Sequence, residues 1–359
     1  MASYLHLIPF AKNGGTEKDC YYVVSELIED YHTIFVFDQP DRMSESWIQA
    51  GAHVVHLHCL HKPIQLYTTL KKIIKDKKYD GIFYWSTIHL PLILAALNGQ
   101  KSKIAVHVGN PVHSSIKTIL KNFLFSSSLP VRNDVCLFPC SQYVADTIIK
   151  DPYLKRFPIR VSLNPVTIPD KNPHKLQQIA QDSEIHMGMT ARLDPIKDHL
   201  TVIKAFKLVE QKFPKVRLHL LGDGVLENSL QELAQGLGLT DKVIFHGNVN
   251  NVYDHLQSWH IFLYATTPAE GLGNAVSEAM ANGLPCVLSD LPMLRELAGN
   301  DQNVHFVPAS NARIMSQAVF MLLKYPDTRH LLSQNAFRHA RETFNSSRYA
   351  KDRLDFLLT

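Results

Sequence analysis

The stretch running from Thr267 to Pro285 holds two glutamates, Glu270 and Glu278, eight residues apart. It follows an apolar run, Ile261–Ala265, that reads as a strand. Between the glutamates, Gly271, Leu272, Gly273, Asn274 and Ala275 make the turn into a helix expected over Asn274–Ala281. Small residues at such a turn let backbone N–H groups approach an anion, and the helix N-terminus adds partial positive charge. Carboxylates this close to a phosphate site make sense if they accept hydrogen bonds from hydroxyls. A sugar on one side and a ribose on the other would supply them. The plainer alternative is a capped amphipathic helix with surface glutamates.

A second segment, Gly188-Met-Thr-Ala-Arg192-Leu-Asp-Pro-Ile-Lys197, also leaves a strand and enters a helix. Arg192 and Lys197 bring two cations to a strand end, as a diphosphate requires. Read alone, the pair is also compatible with a loop of solvated charges. A third segment, Gly14-Gly15-Thr16-Glu17, follows the first strand-like run, and its two glycines permit close approach of backbone to ligand. A tight turn would use the same residues.

Together these segments resemble the retaining glycosyltransferases of family GT4, which have the GT-B fold. The family's mark is a glutamate, seven residues, a second glutamate, then Ala-Met-Ala-x-Gly-x-Pro, and all of it is present from Glu270 to Pro285. The resemblance implies that Glu270 contacts hydroxyls of the donor sugar and Glu278 holds the nucleotide ribose. Amides of Gly271 to Ala275 would face sugar and phosphates, and Arg192 and Lys197 would bind the pyrophosphate. Gly14, Gly15 and Thr16 would reach the donor from the first lobe. His107, at the end of Lys103–Val108, would contact a sugar hydroxyl near the reacting centre. The residues after it depart from the family pattern, which keeps His113 open as the functional histidine. Gly222, in Gly222-Asp223-Gly224, would border the nucleotide. Phe245 and Gly247 would flank the base, with backbone atoms of Phe245 to Asn248 reading a uracil edge.

The elements needed to position these residues are legible as two series of alternating strands and helices. Strand-like runs at Leu5–Ile8, Thr33–Phe37, His53–His58, Gly81–Tyr84, Lys103–Val108 and Val135–Phe138 form the first. Glu184–Met189, Val216–Leu221, Val243–His246, Ile261–Ala265, Cys286–Ser289 and Val304–Val307 form the second, with a helical final portion from Ala312 through Leu358. Such alternation predicts parallel sheets covered by helices on both faces. Three prolines within Asn164–Pro173 mark a linker between the series. The expected organisation is an α/β protein with two Rossmann-like doubly wound domains facing a cleft. Residues 1–169 form the acceptor-binding domain, 170–340 the donor-binding domain, and 341–359 a helix that can pack back on the first.

Composition narrows the classes. Apolar residues make up 45% of the 359, enough for two cores, and charged residues 19%, too few for a disordered chain. A net charge of +4 is well short of a nucleic-acid binder and suits an anionic substrate. Five scattered cysteines argue against a disulfide framework and for a reducing cytoplasm. Cys136 and Cys140 read as buried thiols rather than a metal pair. The longest apolar stretch, Leu90–Leu97, contains Pro91 and is too short to span a bilayer, and no signal peptide is evident. No Asp-x-Asp occurs, so neither metal nor cofactor is expected.

The expected reaction transfers a hexosyl or N-acetylhexosaminyl group, with retention, from a nucleoside diphosphate sugar (UDP before GDP) to a hydroxyl of a glycan or lipid-linked acceptor. The family is thought to react on the donor's front face, so no protein nucleophile is assigned. The same fold leaves an epimerase, a phosphorylase or a non-catalytic nucleotide-sugar-binding partner as alternatives. A nicotinamide oxidoreductase is disfavoured, because no Gly-x-Gly-x-x-Gly follows the first strand. Lys-rich amphipathic stretches at Leu70–Lys78 and Ile116–Phe125 read first as surface helices with a core face. Peripheral contact with an anionic inner membrane face is the second reading.

Overall fold

The computed structural model describes residues 1–112, 132–173, 184–249 and 251–359. His113 and the Ile116–Phe125 stretch lie outside the described residues. The chain divides into two compact units, one of residues 1–165 with 346–359, the other of residues 166–345.

In the first unit six strands pair in parallel: β1 (Ser3–Ile8), β2 (Tyr31–Val36), β3 (His53–His56), β4 (Gly81–Tyr84), β5 (Lys103–Val108) and β6 (Val135–Pro139). Their order is β3-β2-β1-β4-β5-β6. Their near-continuous apolar runs suit strands buried on both faces. Helices α1 (Gly15–Glu26), α2 (Arg42–Gln49), α3 (Pro63–Ile74), α4 (Leu90–Ala96) and α5 (Gln142–Ile148) cover them. Pro63 opens α3, where a missing N–H costs nothing.

The second unit repeats the plan. Strands β7 (Ile185–Thr190), β8 (Val216–Leu221), β9 (Val243–Gly247), β10 (Ile261–Tyr264), β11 (Cys286–Ser289) and β12 (His305–Val307) lie in the order β12-β11-β10-β7-β8-β9. Read from the other edge, this is the order of the first sheet. Helices α6 (His199–Glu210), α7 (Glu227–Gly236), α8 (Val252–Ser258), α9 (Asn274–Ala281) and α10 (Pro292–Ala298) alternate with the strands.

The final helical portion is three helices: α11 (Ala312–Lys324), α12 (Pro326–Thr343) and α13 (Ser346–Leu357). Pro326 at the first turn of α12 cannot continue α11, because its ring removes a donor and clashes with the preceding turn. The third helix belongs to the first unit, where it packs on α1 and β5 and buries Tyr349, Ala350, Arg353, Phe356 and Leu357.

In doubly wound sheets ligands bind at the carboxyl ends of the strands where the winding reverses. In the second unit that point lies between neighbouring β7 and β10, which pair at Ile261↔Met187 and Phe262↔Gly188.

Candidate active site

Lys197 and Glu270 come from the segments that leave β7 and β10. The two segments are tied together: Lys197 bridges Thr266 in antiparallel fashion, Asp198 N donates to Ala265 O (3.0 Å), and Thr267 N to Ile196 O (3.0 Å). The backbone of the Lys197 loop is therefore fixed before any ligand arrives. Asp198 then caps α6 by accepting from Thr201 N at 3.1 Å.

Lys197 Nζ donates to Glu270 Oε2, and the Tyr264 hydroxyl lies 2.8 Å from each of those atoms. Glu270 Oε1 also accepts from Gly271 N at 3.0 Å, which anchors the carboxylate against the turn. Both charged side chains are largely buried. Burial pushes the Lys197 ammonium down to about 7, Asp194 opposing and Arg192 reinforcing the shift. Burial pushes the Tyr264 phenol up, with Asp194 adding to the rise, Arg192 opposing it and Glu278 adding further. Tyr264 thus stands within electrostatic reach of Arg192 and of Glu278.

Arg192 differs from Lys197: its side chain is 72% exposed and meets Asp194 at 3.0 Å. The loop that carries it rests on the Gly222-Asp223-Gly224 loop after β8. Ala191 N donates to Leu221 O (2.9 Å), Leu193 N to Asp223 O (2.8 Å) and Leu226 N to Leu193 O (2.9 Å). Gly222 and Gly224 have φ of +131° and +156°, and a Cβ on either would collide with the carbonyl of Ala191 or of Leu193. Gly222 N also donates to Gly247 O at 2.8 Å, joining this loop to the end of β9.

The turn of Gly271, Leu272 and Gly273 leads into α9, whose cap residue Gly273 has φ +91°. Asn274 and Ala275 open the helix, and Glu278 is buried on it. The structure therefore brings Arg192, Lys197, Glu270, Gly271 to Ala275 and Glu278 to one end of one sheet. Phe245 lines a cavity of about 560 Å³ beside α7, with Gln231, Gln235 and Thr240. The neighbouring His246 pairs with His219 (2.9 Å), which pairs with His186 (2.8 Å). Gly247 of this segment meets the Gly222 loop through its backbone.

In the first unit Gly14 caps α1, Gly15 is its first residue, and Lys18 N donates to Gly14 O (3.1 Å). His107 near the end of β5 is 3% exposed. Its Nε2 lies 3.6 Å from Asp19 Oδ2 and its Nδ1 3.5 Å from the Tyr349 hydroxyl. Burial, and then the Arg353 guanidinium, push its pKa down to about 3, so the imidazole is neutral. Cys136 and Cys140 are buried free thiols near carbonyls of Leu137 and Gly109.

Comparison with known proteins decides what this arrangement belongs to. Residues 170–339 match the family model described as glycosyl transferases group 1. The chain is a glycosyltransferase, and its second unit carries the group 1 match. It is 24% identical over 295 residues to the N-acetylgalactosamine-N,N'-diacetylbacillosaminyl-diphospho-undecaprenol 4-alpha-N-acetylgalactosaminyltransferase of Campylobacter jejuni, covering 80% of this chain and 79% of that one. Two solved structures share its fold over nearly the whole length. Anabaena Alr3699/HepE in complex with UDP-glucose superposes with a TM-score of 0.83 at 17% identity, covering 99% of both chains. The pneumococcal O-GlcNAc transferase GtfA in complex with UDP and GlcNAc gives 0.74 at 11%, covering 100% of both.

The glycosyltransferase contains a site residue that sequence reasoning missed, Tyr264. Its strand is apolar and wholly buried, so the phenol at its end was indistinguishable from core. Asp19 was missed as well, because only folding brings it to His107. Among the described residues of the glycosyltransferase, no group of three or more His, Cys, Asp or Glu side chains is placed to hold a metal ion, and no helix is long and apolar enough to cross a membrane.

Proposed function

We propose that this glycosyltransferase moves a hexosyl or N-acetylhexosaminyl group from a UDP-sugar to a hydroxyl of a glycan or lipid-linked acceptor, with retention of configuration. The second unit binds the donor and the first the acceptor. The observation that carries this reading is the Lys197–Tyr264–Glu270 cluster at the switch point of the second sheet, with Arg192 extended beside it. Lys197 and Arg192 stabilise the departing diphosphate, where negative charge grows in the transition state. Glu270 accepts from sugar hydroxyls and Glu278 from the ribose. Gly271 to Ala275 offer amides to the phosphates, helped by the α9 dipole. No cofactor or metal takes part in this reading.

UDP accompanies the sugar in the names of both solved relatives, and the Campylobacter relative is named for a diphospho-undecaprenol acceptor. Helix α3 supports peripheral contact of the first unit with an anionic membrane face from the cytoplasm. Ile64 on it is 79% exposed, and Lys71 and Lys72 occupy its last turn. Co-sedimentation with anionic vesicles at low salt, lost on replacing these lysines, is the expected result.

Thermal shift against UDP-, GDP- and ADP-sugars tests the donor. A ligand at a hundred times its Kd adds about 2.7 kcal/mol, or roughly 5–10 °C for a unit of this size. Product NMR then reads the anomeric configuration. A rise with GDP-sugars alone, or an inverted product, would refute the reading.

A further inference from the structure

Tyr264 ends β10, fully buried, with its ring stacked 6.1 Å from that of Phe262. A buried phenol needs a partner for its hydroxyl. This one has two, and both are charged. Lys197 Nζ donates to the Tyr264 oxygen at 2.8 Å, and the hydroxyl donates to Glu270 Oε2 at 2.8 Å. Burial pushes the phenol far above its ordinary range, so the proton stays on the oxygen and the sense of both bonds is fixed. The ring also lies under the turn into α9. A Cβ built on Gly273 would lie 3.4 Å from Tyr264 Cε1 and 3.6 Å from its hydroxyl. One side chain therefore meets the Lys197 loop, the Glu270 carboxylate and the turn that opens the helix.

We propose that Tyr264 is a positioning residue for transfer, whose hydroxyl aims the remaining N–H of Lys197 at the diphosphate and the remaining lone pairs of Glu270 at the donor sugar. The proposal rests on the transferase reading. An ammonium has three donors. Two of those on Lys197 go to Glu270 Oε2 and to the Tyr264 oxygen, which fixes the direction of the third. Glu270 is held at both oxygens, Oε2 by Lys197 and Tyr264 and Oε1 by Gly271 N at 3.0 Å. Without the hydroxyl, the ammonium has one contact fewer to hold its direction, and the carboxylate loses one of its three donors. Groups aimed before the reaction stabilise developing charge without the cost of reorienting during it. The other charged groups within electrostatic reach of the phenol are Asp194, Arg192 and Glu278.

Tyr264→Phe removes the hydroxyl and keeps the ring under Gly273, so the variant should still melt cooperatively. The test compares it with wild type, following UDP release from UDP-glucose, UDP-galactose, UDP-N-acetylglucosamine and UDP-N-acetylgalactosamine with octyl glucoside present, as a function of pH. The variant is expected to lose roughly tenfold or more in kcat/KM, the weight of a hydrogen bond to a charged group. Its pH profile should also narrow. A carboxylate that loses an O–H donor binds its proton more readily, so the acidic limb moves to higher pH. An ammonium that loses an acceptor gives up its proton more readily, so the alkaline limb, set by Lys197 at about 7, moves to lower pH. A phenol that only fills the core would leave both limbs in place. Wild-type kcat/KM in Tyr264→Phe, or a loss with neither limb moved, overturns the positioning role alone. No UDP release by wild type from any donor overturns the transferase reading and the positioning role with it.

Discussion

Lys197 Nζ and Glu270 Oε2 meet across the boundary between the β7 and β10 loops, and the Tyr264 hydroxyl joins them at 2.8 Å from each. The contact pairs a buried cation with a buried anion. Removing either member strands the other, at a cost of about 3–5 kcal/mol in comparable buried pairs. Lys197→Ala and Glu270→Ala should therefore melt earlier but still cooperatively. Turnover should fall by roughly 10²–10³ for Lys197→Ala, the size seen when one group stabilising transition-state charge is lost. Steady-state kinetics beside a melting curve separates the two effects, and undiminished turnover in both variants would remove the site assignment.

The same burial makes the site sensitive to pH. Lys197 is pushed down to about 7 by desolvation, with Asp194 opposing and Arg192 adding to the shift. Only the protonated form attracts the diphosphate, so kcat/KM should fall about tenfold per pH unit above that value. A bound diphosphate favours the ammonium, so the fall in kcat should come at higher pH. The sign for stability is opposite. Between about 7 and 10.4 the unfolded lysine holds more protons than the folded one, so unfolding free energy rises with pH across that window. A kcat/KM profile flat to pH 9 would show that the ammonium is not what the diphosphate meets.

The parallel sheets and the acidic turn were legible because their signals are local. Apolar runs of strand length alternate with helices, and Glu270 to Pro285 spells out its turn and helix in one stretch. Less local features were not legible. Apolar periodicity marks the portion from Ala312 as helical but does not by itself place the break at Pro326. Tyr264 hid in a strand buried on both faces, where alternation carries no information. The neighbours of His107 come from residues 19, 349 and 353, and no pattern in the chain links positions so far apart.

The glycines of the β8 loop were expected to border the nucleotide, and the geometry gives them a second duty. Gly222 and Gly224 back the loop that carries Arg192, each with a φ near which only glycine rests easily. Gly222→Ala or Gly224→Ala must push Ala191 or Leu193 away. The expected outcome is a melting point lowered by several degrees and a weaker thermal shift with UDP, the loss growing as Arg192 is displaced. Wild-type UDP affinity in both variants would mean that the loop tolerates displacement and that Arg192 is not held by it.

Helix α13 should be indispensable to the first unit despite following the whole second unit in the chain. It buries Tyr349, Phe356 and Leu357, and seats Arg353 with its guanidinium 3.5 Å from the Tyr349 ring centre and 4.9 Å from that of Phe138. Arg353 Nη1 also donates to Ser162 Oγ and to Tyr349 O, both at 3.1 Å. Three large apolar side chains at about 1.5–3 kcal/mol each give roughly 5–9 kcal/mol, an upper estimate comparable to the whole stability of a typical domain. Loss of the helix would also expose Phe138 and take away the cation nearest His107. A chain ending at Asn345 should lose hydrogen-exchange protection in β1, β5 and α1, while the second unit keeps its protection and its thermal shift with UDP. Full protection of β5 in the shortened chain would show that the first sheet closes its core without this helix.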